Sequence, residues 1–273
     1  MFGKVGKVAK RCCTIAMWLL VVGAQPRAAE LHESTARAFD VYATAVEARP
    51  ASPFLWLDSL PAADRDRRVR EVRNGGLVIE RLRAKSKGRD IDVPDGLIHH
   101  WIGSAFVPHA TTAAALQLLQ DYDRHGAVYA PIVARSRLLS KSGDEFRFSL
   151  RFVMTKVITV VVDGEHQARF ASLGPHRARS WIHSTRLAEV ANAGTAEEKQ
   201  EPVGQGGGYL WRLNSYWRFE ERDGGLYIEC ESISLTRGIP YGLGWAVGPF
   251  VTSLPRESLE FTLGTTRRVL MGT

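Results

Sequence analysis

The sequence predicts an α+β chain: a curved antiparallel sheet of about seven strands on a long C-terminal helix, preceded by a helical extension. Three observations lead there. From Gly96 onward, runs of alternating apolar and polar residues follow one another across short turns, as in Phe146, Phe148, Leu150, Phe152 and Met154. Such period-two runs read as half-buried strands. A helix-forming stretch, "ATTAAALQLLQDYDRHG", interrupts them near their start, and a stripe of Leu259, Leu263, Thr266 and Leu270 at helical spacing closes the chain. A sheet with one apolar face needs a cover, and a terminal helix of about 16 residues, roughly 24 Å long, can supply it.

The chain begins as an export signal would. Lys4, Lys7, Lys10 and Arg11 precede an apolar run from Cys12 to Ala24, shorter than the about 20 residues a membrane span needs. Residues 1–24 are therefore expected to be a signal peptide, cut after Ala24 or as late as Ala29, and the protein to be periplasmic or secreted. An uncleaved membrane anchor is the alternative. Removing the leader's four basic residues, with no acids, lowers the formal charge from +7 to +3. That mild balance does not mark a nucleic-acid binder, and "RDRRVR" (65–70), carrying Asp66 next to Asp64, reads as a solvated helix face. Only Cys230 remains after the leader. It rules out an internal disulfide, and its strand context suggests a buried thiol.

Residues 25–94 form the extension. Phe39, Tyr42, Ala43 and Val46 give 31–49 a helical stripe that Pro50 and Pro53 end, and a charged helix is expected near 61–73. The turn-rich "KSKGRDIDVPDG" (85–96) marks a boundary, so 95–273 is taken as the main domain. It opens with the strand "LIHHWIGSAFVP". The following helix is capped by Thr111 or Thr112 and reaches toward Gly126. "IVARSRLLS" and "EFRFSLRFVM" come next, then "VITVVVDGEHQARFASLG", where Asp163-Gly164 signals a hairpin turn. "ARSWIHSTRLAEV", a polar insertion and "YLWRLNSYWRFEE" lead through Arg222–Gly225 to "LYIECESISLTR". The last helix is expected from about Pro255.

No reaction is written in the motifs. There is no G-x-S-x-G, and His183-Ser184 on a strand point to opposite faces. His99 and His100 diverge for the same reason. Asp121 and His125 can share a helix turn but lack a third ligand, so no metal site is expected. Glu229 and Glu231 share one strand face and Arg212, Asn214, Tyr216 and Arg218 share one on the neighbouring strand, which cross-strand pairing on the outer face explains.

The order of elements, with "GLIHHWIGSAFVP", "QDYDRHG", "YAPIVARSRLL" and above all "GGLYIECESISLTRGIP…LPRESLEFTLGTTRRVL", resembles the START-like, helix-grip (SRPBCC) superfamily over about residues 95–273. The resemblance implies a cavity between sheet and helix that takes hydrophobic ligands such as lipids or polyketides. An exported, non-enzymatic binder of a hydrophobic small molecule or lipid, touching membranes transiently, is the leading expectation. The alternatives are a cyclase, isomerase or hydrolase using that cavity, and a protein-interaction module. The aromatic residues expected to line the cavity are Trp101, Phe106, Phe148, Phe152, Trp211, Trp217, Trp245 and Phe250. "GLGWAVG" (242–248) does not open a βαβ unit, since no strand follows it. It reads as an apolar connector at the pocket's rim, and no cofactor is expected.

Overall fold

The computed structural model describes residues 29–156, 158–239 and 244–272, with side chains given outside 240–252. The expected leader, and the Trp245 and Phe250 side chains, fall outside these. Helices α1 (Glu33–Glu47) and α2 (Ala62–Arg73) come first, followed by β1 (Val78–Arg81) and the small hairpin β2 (Lys85–Ser86) and β3 (Arg89–Asp90). Then follow β4 (Gly96–Pro108), α3 (Thr112–Gln120), α4 (His125–Val128), β5 (Val133–Ser142), β6 (Glu145–Thr155), β7 (Thr159–Ser172) and β8 (Arg177–Ala191). The short β9 (Lys199–Gln200), β10 (Arg212–Arg222), β11 (Gly225–Arg237) and α5 (Gly244–Leu270) complete the chain.

One antiparallel sheet runs β1-β4-β11-β10-β8-β7-β6-β5, with β9 added on β8. This sheet against the C-terminal α5 is the helix-grip architecture. On the inner face Ala105, Ile228, Trp217, Phe219 and Phe146 meet Leu259 and Leu263 of α5 in the main core. The helix presses on the sheet at Gly103, where a Cβ would collide with Leu263 and stand 2.7 Å from Ile79 Cδ1. Glycine is needed there for contact, not for a turn.

The outer face is covered as well. Phe39, Tyr42, Ala43 and Val46 of α1, the stripe expected from the sequence, pack on Tyr216, Ile233 and Leu235. Leu55, Leu57 and Val72 pack on Phe106 and Tyr227. Residues 33–73 thus lie along the back of the sheet, and β1 extends its edge by pairing with β4.

Three local expectations are corrected. Asp163-Gly164 is not a turn, because β7 runs straight through it. Asp163 accepts a forked pair from Arg151 of β6 at 2.6 and 2.7 Å, and a Cβ on Gly164 would stand 2.8 Å from Leu187 of β8, so both residues serve cross-strand packing. Helix α3 takes its cap from Thr111, whose Oγ accepts from Ala114 N at 3.2 Å, but ends at Gln120, where Asp121 leaves helical geometry with ψ of 64°. Finally, α5 starts at Gly244, not near Pro255. Proline marks a helix start only where nothing helical precedes it, and an interior proline costs a backbone hydrogen bond without always ending the helix.

Candidate functional site

Of the aromatic residues expected in the cavity, Trp101, Phe148, Phe152 and Trp217 do stand on the inner face. Trp217 stacks on Phe219 with planes 7° apart. Phe148 lies between Tyr122, at 3.8 Å between centroids, and His166, at 5.2 Å, while Phe152 meets His166 edge-on. Phe106 and Trp211 do not join them. Phe106 alternates to the outer face against Tyr227, with Arg73 over its ring. Trp211 precedes β10, so strand alternation does not govern it, and it packs in the cluster beneath α1. The Trp245 and Phe250 side chains lie outside the described residues.

The inner face is dry at one end and open at the other. Ala105, Val107, Leu226, Ile228 and Phe219 have no exposure. Toward the other end Trp101, Leu150, Phe152, Ile182, Leu213 and Ser215 are only half-buried. The direction of α5 explains the asymmetry. Leu263 sits over Gly103 and Arg267 reaches the Phe106 carbonyl at 3.1 Å, so the helix backbone before Leu259 runs toward Trp101 and beyond. The Lys156–Glu257 ion pair, at 2.7 Å, ties the tip between β6 and β7 to the same helix. The candidate site is this open half, floored by β4, β11, β10, β8, β7 and β6.

Some of its polar groups are paired, His99 with Thr236 and Ser184 with the Leu213 N–H, and some are not. Trp101 Nε1, His166 Nε2 and Ser180 Oγ are buried without a hydrogen-bond partner among the described residues, a costly state unless a ligand or water completes it. Burial lowers the His166 pKa to about 4, so the imidazole is neutral at pH 7. Tyr122, also unpartnered at its hydroxyl, is raised by burial.

The outer face carries the charge. Glu231, 1% exposed, accepts from His100 Nε2 at 2.6 Å, from Arg49, and from Arg218 at 3.2 Å. Burial alone would raise its pKa, but the His100 hydrogen bond and the two guanidiniums outweigh it and hold the carboxyl at about 2. His100 is lowered by burial and stays neutral; its Nδ1 accepts from Tyr42 at 2.9 Å, and Tyr42 accepts from Ala84 N. Glu229, with 0% exposure, accepts from the backbone N–H of Trp56 at 2.7 Å and of Leu57 at 3.0 Å, and burial pushes it up to about 7 despite them. The expected Arg–Glu pairing on this face is therefore present but buried beneath the extension. His183 likewise faces outward to Glu47 at 3.0 Å, and Arg186 bonds Gln200 at the surface. In the basic stretch of α2, Arg65, Arg67 and Arg68 pair with Asp66, Asp64 and Glu80. Burial raises the Cys230 thiol, which fits an inert side chain.

The unpartnered atoms of the site had no sequence signal, because a serine or histidine on a strand looks the same whether its partner is protein or ligand. Two shallow clefts of about 200 and 250 Å³ flank α5, one against α3 and α4 and one against Gly75 and Leu77, and neither includes the open inner face. Among the described residues no group of three or more His, Cys, Asp or Glu is placed to hold a metal, and no helix is long and apolar enough to cross a membrane.

No protein-family model matches this chain, and no curated protein does. Solved structures are similar in fold. A STAR-related lipid transfer protein from Xanthomonas axonopodis matches at 16% identity and a TM-score of 0.45, over 70% of this chain and 98% of its own. Human STARD10 matches at 9% and 0.44, over 77% of this chain and 80% of its own. The di-domain aromatase/cyclase StfQ of the steffimycin biosynthetic pathway matches at 14% and 0.42, over 64% of this chain and 51% of its own.

Proposed function

We propose that the protein is an exported binder of a hydrophobic small molecule or lipid, held on the open half of the inner face beneath the first half of α5. One observation carries this: apolar and aromatic side chains that strand alternation turns toward the core, Trp101, Phe152, Ile182 and Leu213 among them, remain half-buried. Covering them with a ligand contributes about 25 cal/mol per Å² of apolar surface removed from water, and a few polar atoms set orientation. Export is proposed from the pattern of residues 1–24. The enzyme alternative has less support, since Glu231 and His183 face the opposite side of the sheet and Arg186 is held at the surface.

The test is native mass spectrometry and solvent extraction of protein purified from a host that exports it, with thermal shifts against a broad lipid panel. A co-purifying hydrophobic molecule, or a midpoint rise with one lipid class, is expected. Neither result across the panel would sink the binder reading.

A further inference from the structure

The open inner face is apolar, yet its middle carries a polar lane. Ser232 of β11 pairs in register with Trp101 of β4 and with Ser215 of β10, and Ser215 pairs in turn with Ile182 of β8. On β7 and β8 the next row pairs His166 with Ser184. Ser215, Ser232 and Ser184 are half-buried, while His166 and Ser180 are each 2% exposed and hold an unpartnered polar atom. These are neutral groups. The acids and cations that alternate to this face stand at its margins: Arg81 and Lys141 are exposed on the two edge strands, Glu189 is taken by the N–H groups of Gly207 and Tyr209, and Glu221 by that of Thr112. The segment 240–252, "PYGLGWAVGPFVT", contains no Asp, Glu, Lys, Arg or His. Wherever its side chains sit, they bring no ionised group at neutral pH.

We infer that the ligand is an uncharged hydrophobe bearing hydroxyl or carbonyl oxygens, and that lipids with an ionised group in the cavity are rejected. This rests on the binding reading above and deepens it. Trp101 Nε1–H offers a donor. The serines and neutral His166 can donate or accept. Each neutral hydrogen bond adds modestly, whereas a buried charge without a counter-charge loses several kcal/mol of hydration. Selectivity on this floor therefore comes mainly from exclusion of charge.

A matched fluorescent series tests it: pyrene, 1-pyrenemethanol, 1-pyrenecarboxylate and 1-pyrenemethylammonium, followed by energy transfer from the tryptophans at pH 7.5. We expect 1-pyrenemethanol to bind at least about tenfold more tightly than either ion. The double variant Ser215→Val, Ser232→Val should lose about tenfold for 1-pyrenemethanol while keeping its affinity for pyrene. Valine suits a strand, and an unchanged unfolding midpoint confirms that the variant folds. An ion binding as tightly as the alcohol, or a double variant without effect on it, overturns the inference and leaves the binder reading standing. Binding of none of the four probes overturns both.

Discussion

Replacing Glu231 by Gln should destabilise the protein by about 3 kcal/mol at neutral pH, because Glu231 is the anion on which Arg49, Arg218 and His100 converge. Lowering the glutamate carboxyl from its ordinary value of 4.5 to about 2 on folding is worth about 3 kcal/mol. Removing one partner of a buried ion pair independently costs about 3–5 kcal/mol. The lower end applies, since the Arg49 and Arg218 side chains are 39% and 26% exposed and can turn to water. The sign in pH follows from the direction of the change. A carboxyl depressed on folding stabilises above its unfolded pKa, and that stability is lost as pH falls through the folded value. Urea unfolding followed by tryptophan fluorescence should therefore show a gap of about 3 kcal/mol at pH 7.5 that narrows to about 1 kcal/mol at pH 3. A variant within 0.5 kcal/mol of the parent at pH 7.5, or a gap that widens on acidification, would refute the reasoning.

The other expectations concern the two faces. Gly103→Val should cost about 1–3 kcal/mol in urea melts by forcing Leu263 and Ile79 away from β4; an unchanged midpoint would mean that α5 does not sit tightly there. Leu57→Ala, at a side chain with 0% exposure beneath the sheet, should cost about 2–5 kcal/mol. If it is silent, the extension does not support the fold. His166 is lowered by burial to about 4, so its contribution is present above about 6.5 and is lost as pH falls through 4. His166→Phe should therefore flatten about 3 kcal/mol of the acid-side loss between those values, and parallel pH curves for parent and variant would contradict this.

Alternation made much of the sheet legible. Phe146, Phe148 and Phe152 on one side, and Glu229 and Glu231 on the other, stand on the faces their spacing implies. The same rule failed just outside a strand, at Trp211. On β4 it does separate Trp101 from Phe106, since residues five apart point to opposite faces, and only the tertiary structure decided which of the two faces α5 covers. Asp163-Gly164 read as a turn because local signals describe what a dipeptide allows. The crowding of Gly164 by His166 and Leu187 shows what its surroundings require.

The sequence alone determined the alternation of strands, the grip of an apolar C-terminal helix, and the stripe on α1, since each depends on residues a few positions apart. The tertiary structure decided where that stripe docks. The burial of Glu229 and Glu231 depends on Trp56, Leu57 and Arg49, more than 170 residues away along the chain. It also decided which half of the inner face stays open, because solvent access follows from the line α5 takes across Gly103. Burial is set by what covers a face, and here the covers come from the two ends of the chain.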